Sequence, residues 1–281
     1  MLDDEQADRL KPPLEGFLEG FDYLAHRRND PVELVWEYTH DEDREVVALL
    51  SSCLAYGRVE LLKQSIRKVL DVLGPHPARA IRRFDRSRIA DELDGFVYRM
   101  SRDVDVLDLL SGMSAALDEF GSLEALYASS DASDHLERAS AFVQYLRRHR
   151  IREELERGCR YLLPDPADGS SCKRLHLFFR WVGRGPDGVD LGIWSSPRPD
   201  ELLMPLDTHT SRLCRYIGLT DRKTVDGKMA REVTDSLARL DPDDPLRFDF
   251  ALCHLGISQS CIHERSDQHC PTCPIETICE L

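Results

Sequence analysis

Long apolar runs are missing from this sequence. Nothing in its 281 residues approaches the roughly 18 consecutive apolar residues that a membrane span needs. The first thirty positions carry Asp3, Asp4 and Glu5 and lack the apolar stretch of an export signal. The expectation is a cytoplasmic protein with no membrane partner. Strict alternation of apolar and polar residues is also nearly absent, which argues against a fold built on half-buried strands. No internal repeat and no low-complexity tract stands out, so solenoid and disordered architectures are set aside. Positive charge is in deficit, with 37 Lys and Arg against 51 Asp and Glu and a net charge of −14. That balance argues against a protein coated in nucleic acid, because phosphate binding draws on clustered cations.

The average hides a local pattern. From Tyr145 to Arg184 there are ten Lys and Arg against five Asp and Glu, a net of +5 that leaves −19 for the remainder. A second cluster holds Arg212, Arg215, Arg222, Lys223, Lys228 and Arg231. Each reads either as a solvated helix face or as part of a positive cleft on an acidic protein.

Helical periodicity is present almost everywhere. Val46, Leu49, Leu50, Cys53 and Leu54, then Leu61, Leu62, Ile66, Val69 and Leu70, fall on helical spacing, and the chain reads as all-α with ten or eleven helices. Asp30-Pro31 marks a helix start, Gly74-Pro75 a stop, and Ser122 with Glu124 another start. Gly183 to Pro199, "GRGPDGVDLGIWSSPRP", cannot be one helix and is expected to be a long loop or an insertion between two helical lobes, and long ordered loops often carry function. The length favours two lobes with a cleft between them.

Nine cysteines in a protein without an export signal point to thiols or metal ligands rather than disulfides. Cys261, Cys270, Cys273 and Cys279 form C-x8-C-x2-C-x5-C, four closely spaced thiolates that suit either a four-iron cluster or a structural zinc. Cys53, Cys159, Cys172, Cys214 and Cys253 lie on or beside apolar helix faces and read as small core residues.

The stretch "LMPLDTHTSRLCRYIGL" places Asp207 before Thr208 and His209 at an expected helix start, so Asp207 reads as an N-cap or as a catalytic carboxylate. Taken with "FDFALCHLGISQSC" and the closing cysteines, it resembles the C-terminal part of endonuclease III and its relatives in the helix-hairpin-helix DNA glycosylase superfamily. "LPDPADGSSCKRLHLFFRWVGR" is similar to that family's hairpin and following helix, although "GSS" stands where Gly-x-Gly is usual. "ALLSSCLAYGRVELL" resembles an early helix of the family without its glutamine. The 34 positions from Lys173 to Asp207 and the inserted loop are similar to the archaeal 8-oxoguanine glycosylase branch.

The resemblance implies a central helical lobe, residues 44–184, and a second lobe of residues 1–43 plus 185–281 that carries the cysteine loop. It implies a monomeric base-excision repair DNA glycosylase with AP-lyase activity, acting on double-stranded DNA with a damaged base, an oxidised purine of the 8-oxoguanine type. Lys173 would be the Schiff-base nucleophile, and Asp207 would assist it and stabilise the positive charge that develops as the base leaves. The cysteines would hold a 4Fe-4S cluster that shapes a DNA-contacting loop, with Zn as the alternative. Gly169, Ser170 and Ser171 would bind phosphate, His209 and Arg212 would contact DNA, and Trp194 would stack on the flipped base. The competing reading is a non-catalytic iron–sulfur or zinc protein that binds nucleic acid on the same scaffold.

Overall fold

Helices carry the chain almost throughout the computed structural model, which describes residues 2–257 and 261–281. Ser258, Gln259 and Ser260, from the stretch "FDFALCHLGISQSC", lie outside the described residues. The helices are α1 Asp4–Glu19, α2 Tyr23–Arg27, α3 Glu33–Trp36, α4 Asp41–Cys53, α5 Val59–Leu73, α6 Pro77–Arg82, α7 Arg86–Glu92 and α8 Asp103–Glu119. They continue with α9 Leu123–Ala128, α10 His135–Arg148, α11 Arg157–Leu162, α12 Lys173–Gly183, α13 Thr208–Tyr216, α14 Gly227–Ala238 and α15 Asp249–Ile257. The sheet among the described residues is one antiparallel hairpin, β1 Val97–Tyr98 paired with β2 Ser101–Arg102.

The all-α expectation holds. Fifteen helices among the described residues replace the ten or eleven read from periodicity because α2, α3, α6, α9 and α11 span only four to six residues each. Helices that short show no repeat in sequence and are formed by tertiary packing. The punctuation signals did locate ends: Gly74 follows α5 at φ 77°, and the Ser122 hydroxyl accepts the Ala125 N–H at 3.0 Å to open α9.

Buried apolar residues form two clusters. One is centred on α4, whose Val46 to Cys53 are all buried, with α12 packed on it and α5, α6, α8 and α10 around it. The other gathers α1, α13, α14 and α15 around Leu10, Leu14, Leu213, Val233, Phe248 and Leu252. Val32, Leu34 and Val35 pack into the first cluster, as do Val189, Leu191, Trp194 and Leu202 of the long connection after α12. From Leu203 onward the buried apolar residues belong to the second, except Leu246 and Phe250, which pack into the first. No helix among the described residues is long and apolar enough to cross a membrane.

The first cluster encloses two histidines that cannot be fully satisfied there. His135 Nδ1 pairs with the Tyr127 hydroxyl at 2.8 Å, whereas His135 Nε2 and His176 Nδ1 are buried with no hydrogen-bond partner among the described residues. Burial, with Arg231 nearby, pushes His176 down to about 4. Burial, His176, Arg138 and Arg231 hold His135 well below the ordinary value. An unfolded histidine titrates near 6.5, so the unfolded chain takes up these protons first as pH falls. Stability is therefore intact above about pH 6.5 and declines toward pH 4, by about 1.4 kcal/mol per pH unit for each histidine inside that window. The thermal midpoint is expected to drop between pH 7 and pH 5, with a shallower slope in His176→Phe. A flat wild-type profile over that range would show that these imidazoles are not held neutral.

Candidate functional site

The end of the first cluster and the start of the second meet at two helix N-termini. After α11 the chain makes a 3-10 turn, Pro166–Asp168, opened by Asp165, whose carboxylate accepts the Ala167 N–H at 2.9 Å. Gly169 follows at φ 79°, and Cys172 enters α12 with φ 42°, the left-handed region that a side chain seldom adopts. The Gly169 carbonyl accepts the Gly227 N–H at 3.0 Å, so this hairpin leans on the first residue of α14. A Cβ on Gly227 would sit 3.2 Å from the Ser170 carbonyl oxygen, which explains a glycine there. The Gly169 N–H is itself spent on the Pro166 carbonyl at 3.0 Å. Gly169 and Ser170 are exposed and Ser171 is half-buried, with its hydroxyl 3.5 Å from the Leu206 carbonyl.

Lys173 is the first residue of α12, and its Nζ donates to Asp207 Oδ2 at 2.7 Å. The other oxygen, Oδ1, accepts the His209 and Thr210 N–H groups, both at 2.9 Å. Asp207 is thus the N-cap of α13 and the counter-ion of Lys173 together, one role to each oxygen. The two side chains keep 24 % and 23 % of their surface, enough for a reagent or substrate to reach them.

Helix α15 supplies the rest of the surroundings. It crosses α13 where Gly256 lets the backbones approach: a Cβ there would meet His209 Cβ at 3.2 Å and Leu213 Cδ1 at 3.3 Å. One turn apart on α15 stand Asp249 and Cys253, both electrostatic neighbours of Lys173. Burial works to lower the Lys173 ammonium, but Cys253, Asp207 and Asp249 outweigh it and hold Lys173 above the ordinary lysine value. For Asp207 burial works upward, and Lys173 with the helix N–H groups holds it below the usual carboxylate range. The resting pair is ammonium and carboxylate. Asp249 is buried against Arg180 of α12, and its Oδ1 has no partner among the described residues. Sequence reasoning missed Asp249 and read Cys253 only as a small core residue. The signal available was an acid inside the apolar run "FDFALCHLG".

The long connection after α12 is held by ion pairs and backbone contacts. Arg180 pairs with Asp190 at 3.1 Å, and Arg184 with Asp190 and Asp244, both at 2.8 Å. The Leu191 N–H donates to the Trp181 carbonyl at 2.7 Å and the Trp194 N–H to the Val182 carbonyl at 2.9 Å. Trp194 is therefore corrected from a base-stacking residue to a core residue. It is 6 % exposed, its indole N–H donates to Glu45 Oε1 at 2.8 Å, and its ring packs edge-on against Phe178 at 5.2 Å.

Both basic clusters of the sequence are thinned by ion pairs. Arg147, Arg152, Arg180 and Arg184 are spent on carboxylates, as are Arg222 and Arg231. His209 is exposed beside the cap and its Nδ1 lies 3.3 Å from His263 Nε2. Arg212, half-buried, faces that histidine pair.

The four C-terminal cysteines are free, partly buried and line one cavity together with Leu213 and Ile275. The donor chemistry fits a thiolate-bound metal. Among the described residues, no three His, Cys, Asp or Glu groups stand close enough to hold a common ion. The tail is tied to α13 by the Glu280 N–H, which donates to the Tyr216 carbonyl at 2.7 Å.

Residues 30–258 match the family described as a protein of unknown function (DUF2400). No curated protein and no solved structure matches the chain. The expected membership in the helix-hairpin-helix glycosylase superfamily is overturned by the family match, which spans the hairpin, Lys173 and Asp207 and is not to a glycosylase family. The motifs behind the resemblance are short, and local needs account for several of them: Asp-Thr-His caps α13, Gly256 relieves a helix crossing, and "GSS" closes a turn. With the match covering most of its length, this chain is a member of the DUF2400 family.

Proposed function

We propose that the protein is a DNA base-excision enzyme, a glycosylase with abasic-site lyase activity that works through Lys173 and Asp207. The observation that carries this reading is the 2.7 Å contact between Lys173 Nζ and Asp207 Oδ2, which joins residues 34 positions apart at the N-termini of α12 and α13. An amine beside a carboxylate is the equipment for attack on a sugar C1′. The resting lysine is an ammonium and must lose a proton first. A substrate that covers the pair and excludes water favours the neutral pair, because the low dielectric penalises both charges, so the proton passes to Asp207 Oδ2. The free amine bonds to C1′ as the bond to the damaged base breaks, and the base leaves with the bonding electrons and takes the proton from Asp207, which recovers its carboxylate. Asp207 relays a proton from the new secondary ammonium to the ring oxygen, so that ring opening gives a protonated imine, and loss of a C2′ proton to the Asp207 carboxylate then expels the 3′ phosphate and cleaves the strand. The helix N–H groups that hold Oδ1 keep Asp207 aimed at the reacting carbon throughout. The lesion class proposed is an oxidised base of the 8-oxoguanine type in duplex DNA.

The same ion pair gives the competing reading its footing. A lysine that stays an ammonium is a phosphate contact, and the protein would then bind nucleic acid without chemistry. Borohydride reduction separates the two: duplexes carrying 8-oxoguanine, an oxidised pyrimidine or an abasic site are incubated with the protein and reduced. A covalent adduct on a base lesion is expected, and no adduct on any of the three removes the enzyme reading.

Cys261, Cys270, Cys273 and Cys279 are proposed to hold a 4Fe-4S cluster, with Zn as the alternative for the same four thiolates. The group would brace the tail against α13 and does not enter the reaction. Protein purified without oxygen is expected to contain iron and sulfide and to be brown, and Cys273→Ser to lose both colour and thermal stability. Zinc at one per chain, with no iron, would assign the alternative.

A further inference from the structure

Of the exposed arginines without a carboxylate partner among the described residues, which also include Arg28, Arg79, Arg83, Arg86 and Arg148, five stand beside one another: Arg58, Arg99, Arg102, Arg157 and Arg160. They come from three distant segments and are brought to one face by a tyrosine cluster. The Tyr56 ring lies 4.9 Å from Tyr98 and 5.1 Å from Tyr161. The Tyr56 hydroxyl donates to the Tyr98 carbonyl at 3.0 Å and lies 2.7 Å from the Ser101 hydroxyl, which pins the β1–β2 hairpin to the end of α4. Arg174, next to Lys173, stacks 4.3 Å from the Tyr161 ring centre and 5.0 Å from Tyr56. Gly57 admits the hairpin: a Cβ there would fall 2.7 Å from the Tyr98 hydroxyl and 3.1 Å from Arg99 Cδ.

The hairpin tip is Arg99, at φ 51°, and Met100. Val97 is 67 % exposed and Met100 46 %, an unusual amount of apolar surface beside free cations. A groove runs from the tip to α11, lined in part by Met100, Arg102, Arg157 and Tyr161. Its acids are Asp105, neutralised by Arg152 at 2.6 Å, and Glu156. The patch is a local positive field on a protein of net charge −14.

We infer that this arginine-rimmed face is where the phosphate backbone of duplex DNA lies. Guanidinium groups without partners, spread over some turns of backbone, suit successive phosphates, and the exposed Met100 and Val97 suit the sugar and base edges beside them. Arg174 connects the face to the α12 N-terminus, so a strand bound there leads toward Lys173. The choice of DNA over other polyanions rests on the function proposed above, whereas the location of the face does not.

The test is the anisotropy of an undamaged, labelled duplex titrated with the full chain at several salt concentrations. Arg99→Ala combined with Arg102→Ala is expected to weaken binding about 10-fold or more near 0.1 M salt and to reduce the salt slope by about 2. Arg9→Ala, an exposed arginine paired with Glu280, is the control for lost charge and is expected to bind like wild type. The thermal midpoint of the double variant checks folding, and Arg157→Ala tests the same face from α11 if the hairpin variant melts early. Equal affinities and slopes for wild type and for both patch variants would overturn the assignment. Stronger competition by single-stranded RNA of the same length would overturn duplex DNA as the occupant. Trapping at Lys173 is read separately: an adduct that still forms in the double variant at saturating protein, with affinity unchanged, sinks the face and leaves the chemistry. Lost binding with no adduct in wild type does the reverse.

Discussion

Lys173→Ala is expected to abolish the borohydride-trapped adduct, a fall on the order of 10³-fold or more, while duplex affinity changes little. The size of the effect follows from the amine's position: among the described residues Nζ is the only nitrogen placed on Asp207 Oδ2, and no other amine on α12 or α13 stands in for it. The fold should tolerate the change, because Lys173 sits at the first turn of α12 and keeps a quarter of its surface exposed. Removing it leaves Asp207 with two helix N–H donors, so the carboxylate is not stranded. Mass spectrometry of a tryptic digest should place the wild-type adduct on Lys173. An adduct that persists at full yield in the alanine variant would take the nucleophile away from this residue.

Asp207→Asn separates the two roles that share one side chain. The amide oxygen can still accept the His209 and Thr210 N–H groups, so the cap survives and stability should change by less than about 1 kcal/mol. The charge facing Lys173 is gone, and the trapping rate is expected to fall by about 10² to 10³, the range typical of removing one preorganised electrostatic group. Asp207→Ala loses cap and counter-ion together and should cost about 1–3 kcal/mol in denaturant unfolding as well as the activity. Equal activity in the Asn variant and the wild type would reduce Asp207 to a helix cap. A large stability loss in the Asn variant would show that the ion pair, not the cap, holds α13 against α12.

The pair itself was found through a resemblance whose family does not match, yet both residues stand in contact. The carboxylate was legible because capping and catalysis ask for the same residue at the same place. The lysine was not legible from its own surroundings in sequence, where it is one cation among ten between Tyr145 and Arg184. Its ammonium is held above the ordinary lysine value because α15 brings Cys253 and Asp249 alongside it and Asp207 faces it from α13. Trp194 failed for a related reason. A tryptophan in a Gly- and Pro-rich loop reads as exposed, but the loop folds back along α12 and buries the ring between two helices and Glu45.

Helical class, the breaks at Gly74 and Ser122, the cap at Asp207 and the irregular stretch after α12 all depend on neighbours a few residues away, so a linear reading recovers them. Charge placement does not work that way. Arg147, Arg152, Arg180, Arg184 and Arg231 look like members of clusters along the chain but are met by carboxylates, several from remote segments, whereas the free arginines at 58, 99 and 102 meet those at 157 and 160 only in space. Which cations stay unpaired is settled by the distance to every acid in space, and burial then sets how strongly each pair is felt. The composition determines that this is an acidic helical protein; the packing of α12, α13 and α15 decides that one of its lysines meets a carboxylate at a shared opening.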